Sequence, residues 1–253
     1  MAAHIKLVCI NIERSKHLSR VIPFLQAQEP EVLCVQELCE KDIPLLRQTL
    51  GMTCLFAPSG VHPTDDPNIP DPLVGVGIFS SLPIVAQSIS YYSGSEVQAR
   101  TAPTHPTFTD NAVVSVDVQK GERVFRIMTT HFSWTPDGSA DEVQRRNIVT
   151  LLSMLAASGE LVLCGDFNAP RIYKGAPGEI FSQLSLAYRD AIPAHYVTSI
   201  DASLHRNDAT AAHELADKMV DGLFLSPSYS AEDVELHGGI SDHFAITATI
   251  ACT

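Results

Sequence analysis

The stretch Leu161-Val162-Leu163-Cys164-Gly165-Asp166-Phe167-Asn168 decides the fold. An apolar run reads as a short strand, and it passes straight into an acid and then an amide that core packing does not require. The same pattern recurs along the chain. Lys6 to Ile12 is strand-like and carries Asn11. Val32 to Gln36 is a second apolar strand that ends on Glu37. Arg123 to Thr130 runs into His131, Met219 to Leu225 contains Asp221, and Asp242-His243 opens the strand His243 to Ile250. Each residue alone has a bland explanation. Glu37 could cap the next helix, Asp166-Phe167-Asn168 could be a side-chain-bonded turn, His131 could be a satisfied core histidine, and Asp242 could cap a strand. Together they form a set of carboxylates, amides and imidazoles, and ligand sites in α/β sheets lie at strand ends.

The segments between these strands set the architecture. Leu18 to Gln28 has helical spacing despite Pro23, and Pro30 breaks it. Ile43 to Leu50 reads as a helix closed by Gly51. Val74 to Ser80 and Ile84 to Ile89 read as a strand pair joined around Leu82-Pro83. Pro58 to Pro72 and Gly94 to Asp110 read as loops. Val113 to Val118 and Arg123 to Thr130 form a hairpin across Lys120-Gly121. Asp141 to Ala157 is the clearest amphipathic helix, with Val143, Ile148, Leu151, Leu152 and Leu155 at three- and four-residue steps. A short helix is expected at Glu179 to Leu186. The alternation predicts a mixed α/β sandwich. The letters hold neither a repeat nor a linker, which predicts a single domain over residues 1–253.

The chain has 253 residues, 29 acidic and 17 basic, for a net charge of −12. That balance disfavours broad electrostatic capture of a polyphosphate backbone. It leaves room for a local basic groove, because net charge says nothing about distribution. An acidic protein acting on a phosphate ester most simply needs a cation to bridge the two. No apolar run reaches the roughly 20 residues of a membrane span. Leu7 to Ile10 lacks a small-residue cleavage site, so the start does not read as a secretory signal. The six cysteines form no C-x-x-C pair, and buried reduced thiols are expected. A cytoplasmic protein without an obligate protein partner follows.

In these positions the sequence resembles the endonuclease/exonuclease/phosphatase superfamily. That superfamily includes deoxyribonuclease, abasic-site endonucleases, neutral sphingomyelinases, inositol polyphosphate phosphatases and a tyrosyl-DNA phosphodiesterase. The matching segments are Cys-Ile-Asn11, Val-Gln-Glu37, Gly-Val-Gly-Ile-Phe-Ser80 followed by Leu-Pro83, Thr-Thr-His131-Phe, Gly-Asp166-Phe-Asn168, Val-Asp221-Gly-Leu-Phe and Ser-Asp242-His243, in family order. The resemblance implies a four-layer α/β sandwich, with two mixed, mostly antiparallel sheets packed face to face and helices outside. It implies Glu37 as principal ligand of Mg2+ or Mn2+, with Asn11 and Asp242 at or near the ion. By the same match Asp166 orients or deprotonates water, Asn168 donates to a phosphoryl oxygen, and His243, held by Asp221, faces the scissile phosphate. His131 resembles the second histidine of the deoxyribonuclease and sphingomyelinase branches, a phosphate ligand and candidate general acid. Ile10 stands where the family often has Trp or Phe, Gly222-Leu223 replaces the commoner Tyr-Ile after Asp221, and the carboxylate partner of His131 is not legible.

The stretch between Asn168 and Asp221 corresponds to substrate-choosing loops of the family. Arg171, Tyr173, Lys174 and His205-Arg206 are candidates there for positive charge and stacking. Arg145 begins the long helix after His131 and reads first as a solvated helix face. Trp134, the only tryptophan, either walls the site or packs on the sheet. The expected activity is metal-dependent hydrolysis of a phosphodiester, in nucleic acid or a small organic molecule. The alternative is a phosphomonoesterase acting on an inositol phosphate or lipid head group. A non-catalytic binding module on the same fold is disfavoured, because the whole catalytic set is present.

Overall fold

The computed structural model describes residues 3–64, 68, 70–105, 107, 109–205 and 217–252. Its first half runs β1 (His4–Asn11), α1 (Leu18–Gln28), β2 (Val32–Cys39), α2 (Ile43–Leu50), β3 (Thr53–Val61), β4 (Leu73–Ser80), β5 (Ile84–Ser93), α3 (Glu96–Thr101), β6 (Asn111–Lys120) and β7 (Arg123–His131). The second half runs α4 (Glu142–Ser158), β8 (Val162–Asp166), β9 (Ile172–Tyr173), β10 (Ala176–Pro177), α5 (Glu179–Ala187), β11 (Arg189–Asp190), β12 (Asp221–Leu225), β13 (Tyr229–His237) and β14 (Ala245–Cys252). The strands form two six-stranded sheets, ordered β13-β14-β1-β2-β4-β3 and β11-β12-β8-β7-β6-β5. In each sheet one pair is parallel, β1 with β2 and β7 with β8, and the other pairs are antiparallel.

Side-chain alternation builds the layers. Ile5, Leu7 and Cys9 of β1 enter a cluster shared with Val114, Phe125, Val162 and Cys164 of the other sheet. Val8 and Ile10 point the other way, against Val21 and Leu25 of α1 and Leu46 of α2. Leu163 and Phe224 on the far face of the second sheet meet Ile148, Leu151 and Leu155 of α4 and Phe181 of α5. Strands buried on both faces must be apolar at every position, so these runs lack polar alternation. The result is helices, sheet, sheet, helices. It is the four-layer sandwich expected from the sequence.

Local chemistry sets the helix ends. Asp141 accepts a hydrogen bond from Gln144 N at 2.8 Å and so caps α4. Gly51 closes α2 at φ 66°, and its N–H bonds to Arg47 O. Of the apolar positions expected to face inward on α4, Val143 is 43% exposed. It lies in the first turn, ahead of the packed segment.

Several elements depart from the sequence reading. β4 and β5 are not a pair: β4 bonds to β2 and β3, and β5 to β6 in the opposite sheet. The Leu82-Pro83 link crosses between sheets, with Ser81 N on Glu31 O of one side and Pro83 O accepting from Gln119 N of the other. β2 does not stop at Glu37 but continues to Cys39 through a register shift between Val35 and Leu38, with Glu37 at φ 51°. β3 occupies the start of an expected loop. Its Pro58 is tolerated because β3 is an edge strand, and the register shifts there. α3 and β13 were not expected.

Gly165 shows why the Gly-Asp pair is needed. A Cβ there would lie 2.1 Å from Thr130 O of β7, and its φ is +153°. Gly165→Ala is therefore expected to cost on the order of 2–4 kcal/mol through overpacking and backbone strain. Urea unfolding of the two proteins checks this.

Candidate active site

The inward face of each sheet carries its alternation one step past the apolar core. Asn11 follows Cys9, Gln36 follows Cys34, His131 follows Thr129, and Asp166 follows Cys164. Asp221 precedes Leu223 on the same face. Strand register then aligns them: His131 is opposite Asp166, Asp166 is opposite Asp221, and Asn11 is opposite Gln36. All five end up buried at one end of the sandwich.

Asp166 is the hub. Asn11 reaches across from the other sheet and donates Nδ2 to Asp166 Oδ2 at 3.0 Å. His131 Nε2 is 3.4 Å and His243 Nε2 is 3.8 Å from the same oxygen. The other oxygen accepts Asn168 N at 2.8 Å. His243 is set by the segment before β14 and bridges to Ile200. Its Nδ1–H donates to Asp221 Oδ2 at 2.8 Å, which fixes the tautomer. Ser199 Oγ accepts from Asp221 N at 3.1 Å and Val220 N at 3.0 Å, locking the start of β12. Asn168 (φ 49°) donates Nδ2 to Phe132 O at 2.8 Å. A carboxamide has two such hydrogens, so one remains for a ligand.

Charge follows from this geometry. Burial opposes ionisation of Asp166, but the facing imidazoles of His243 and His131 and the Asn168 N–H outweigh it, holding the carboxyl well below its usual range. Burial pulls His243 down, yet Asp221 and Asp166 drive its pKa well above the ordinary value. His131 is raised too, with burial opposed by Asp166 and Glu37. Burial raises Asp242 to about 7, opposed by His243 and reinforced by the carboxylates of Glu13 and Glu37.

The acids on the first sheet form a second group beside the hub. Glu13 is buried and holds Lys16 Nζ at 3.0 Å and His17 Nε2 at 2.9 Å. Glu37 lies 3.9 Å from Arg14 Nε, and its Oε2 is buried without a hydrogen-bond partner. Glu13, Arg14 and His17 carry no strand-end signal in the sequence. They arrive through a turn in which Glu13 (φ 43°) and Arg14 (φ 64°) are both left-handed.

A cleft of about 650 Å³ opens beside Asn168 and His243. Of the substrate-side candidates, Trp134, Tyr173, Lys174 and His205 line it. Arg171 and Arg145 do not. Arg171 pairs with Asp190 at 3.3 Å, and Arg145 forms a two-pronged pair with Glu179 at 2.9 Å. Arg206 lies outside the described residues. Lys218, which no sequence signal marked, also lines the cleft.

The sequence profile of the Endonuclease/Exonuclease/phosphatase family matches residues 10–243. The chain belongs to this family. Its members include nucleases, phosphodiesterases and phosphatases, and they are generally hydrolases of phosphoester bonds that use divalent metal ions. Similar solved structures share the fold at low identity. An endonuclease/exonuclease/phosphatase from Bacteroides vulgatus has TM-score 0.72 and 13% identity, covering 99% of this chain and 100% of that one. Another from Beutenbergia cavernae has TM-score 0.76 and 15% identity, covering 98% and 72%. The human Nocturnin catalytic domain with bound sulfate has TM-score 0.71 and 17% identity, covering 99% and 94%. No curated protein matches the sequence. No helix among the described residues is long and apolar enough to cross a membrane.

The residues present fit a divalent cation. Glu37 presents a buried oxygen that has no hydrogen bond and only a 3.9 Å pairing with Arg14 Nε. Ligand atoms of Glu13, His17 and Asp242 all lie within 4.8 Å of one another. The carboxylate oxygens of Glu13 and Asp242 are the hard donors that Mg2+ or Mn2+ prefers, and His17 adds one imidazole nitrogen beside them.

Proposed function

We propose that the chain is a phosphodiesterase, working as one domain over residues 1–253 with Mg2+ or Mn2+ as cofactor. The observation that carries this reading is Asp166 Oδ2, which faces Asn11, His131 and His243 within 3.0 to 3.8 Å beside an acidic group in which a buried Glu37 oxygen makes no hydrogen bond. Cys9, Cys34, Cys39, Cys54 and Cys164 are free thiols, which supports a reducing, cytoplasmic setting.

In this reading Asp166, charged in the resting site, orients the attacking water and accepts its proton as the bond to phosphorus forms. His243, charged and held through Nδ1, offers Nε2–H to a phosphoryl oxygen. His131, the other imidazole whose pKa is raised, protonates the leaving oxygen. Asn168 adds the second N–H of its carboxamide. Asp221 acts through His243, as a positioning residue. Glu37, Asp242 and Asn11 would hold the cation, which supplies charge neutralisation to the phosphoryl group.

A substrate panel tests the proposal. It comprises bis-p-nitrophenyl and p-nitrophenyl phosphate, plasmid, single-stranded oligonucleotide, 5′-tyrosyl DNA, abasic DNA, sphingomyelin and inositol phosphates, each with Mg2+ or Mn2+. The diester is expected to exceed the monoester in kcat/KM by about tenfold or more, the difference being read as transition-state free energy. The reverse ratio would move the protein to the phosphomonoesterase branch.

A further inference from the structure

The cleft beside Asn168 and His243 holds groups that the chemistry at Asp166 does not use. Tyr173 is fixed by its hydroxyl, which donates to Asp137 Oδ2 at 3.1 Å. The other oxygen of Asp137 is occupied by Ser139, whose N and Oγ bond it at 3.0 and 2.6 Å. Two ammonium groups converge on the Tyr173 ring, Lys174 Nζ at 4.9 Å and Lys218 Nζ at 5.6 Å from its centroid. Lys218 touches Asp137 only through the backbone oxygen, at 3.3 Å. Among the described residues neither lysine forms an ion pair with a carboxylate. Asp217 also lines the cleft, so the wall carries negative charge as well. Trp134 lines the same space and is 52% exposed, the only tryptophan of the chain.

Two ammonium groups gathered over one ring repel each other; the carboxylates of Asp137 and Asp217 in the same wall temper that repulsion without pairing with either lysine, and an anion bridging the two would relieve it directly. A half-exposed indole beside them offers a flat face for stacking. A cleft of about 650 Å³ matches a nucleotide-sized molecule rather than a long track.

Resting on the phosphodiesterase reading, we propose that Lys174 and Lys218 form a subsite for a second phosphate of the substrate, while Trp134 stacks on a planar ring next to it. The substrate class is then a phosphodiester whose organic part carries a planar ring and a further phosphate. A free phosphorylated dinucleotide and the phosphorylated end of an oligonucleotide share that chemistry.

Binding can be read without turnover, because Trp134 is the only tryptophan and quenching of its fluorescence reports occupancy. With chelator present, thymidine 5′-phosphate is expected to quench Trp134 at least about tenfold more tightly than thymidine, a charged hydrogen-bonding partner being the difference. The Lys174→Ala/Lys218→Ala protein should lose that preference, and Lys174→Arg/Lys218→Arg should keep most of it. Arg123→Ala, at the opposite end of β7, controls for general charge and should shift the midpoint by less than about twofold at 0.15 M salt. Equal quenching by thymidine and its phosphate, or a preference that survives the double alanine change, overturns the subsite. That result is independent of whether any phosphodiester is hydrolysed, so a failure of the subsite and a failure of the proposed activity are separate outcomes. Competition by the phosphorylated dinucleotide pTpT and by a 5′-phosphorylated 20-mer identifies the source. Preference for either over its unphosphorylated form supports the subsite, and no preference in both overturns it.

Discussion

Asp166→Asn is expected to lower turnover of bis-p-nitrophenyl phosphate by about a thousandfold or more, roughly 4 kcal/mol of transition-state stabilisation. The substitution keeps the shape and removes the charge. Asp166 Oδ2 accepts from Asn11 Nδ2, and Oδ1 accepts from Asn168 N. An asparagine cannot satisfy both. In either amide orientation one NH2 meets a donor. The loss also spreads to the imidazoles. Asp166 is among the groups that raise His131 and His243, so both become easier to deprotonate, and the protons assigned to the leaving oxygen and the phosphoryl oxygen are held less firmly. Single-turnover kinetics, with circular dichroism to verify the fold, is the measurement. A loss below about tenfold would show that Asp166 is a structural hub and not the group that handles the nucleophile.

The centre of the site was legible because strand alternation is strict. Once Cys9, Cys34, Cys164 and Leu223 are inward, Asn11, Gln36, Asp166 and Asp221 must be inward too, and two sheets packed face to face bring them together. Glu37 was legible as a letter but not as a position. The register shift around it comes from local backbone conformation, φ 51° on a non-glycine residue, which no propensity foretells. Glu13 was missed for the same reason, since two consecutive left-handed residues turn it back under the strand ends. The pairing of β4 and β5 failed because Leu82-Pro83 has the composition of a turn but spans two sheets. Whether a connection folds back or crosses over depends on the strands waiting on each side. Arg145 is the solvated helix face it reads as, and Arg171 departs from its reading for an electrostatic reason. Arg145 and Arg171 each find an acid brought near only by the tertiary fold, Glu179 and Asp190, whereas Lys218 lacked a motif and yet lines the cleft.

Removal of divalent metal is expected to abolish the proposed activity, and Glu37→Gln is expected to remove the response to metal. The acids of the first sheet are crowded in a nearly dry place. Burial first, and then the charges of Glu13 and Glu37, hold Asp242 up at about 7 against the pull of His243, so the ionised form of Asp242 is opposed where it stands. A cation relieves that opposition directly, so it binds the folded chain and not the unfolded one. At a hundred times its dissociation constant a ligand of this kind stabilises by about 2.7 kcal/mol. For a chain of 253 residues that is a rise in Tm of about 5–10 °C. Glu37→Gln keeps the side-chain volume but halves the carboxylate donor set, and it removes a charge that opposes Asp242 while giving up only a long 3.9 Å pairing with Arg14. Its metal-free Tm is therefore expected to equal or exceed that of the wild type, while the rise with Mg2+ or Mn2+ disappears and turnover falls to the level of the chelated enzyme. The opposite signs separate a ligand from a packing residue, because a packing residue would lower the metal-free Tm and leave the metal-induced rise intact. Full activity in excess EDTA, or an undiminished thermal shift in Glu37→Gln, would sink the metal-dependent mechanism.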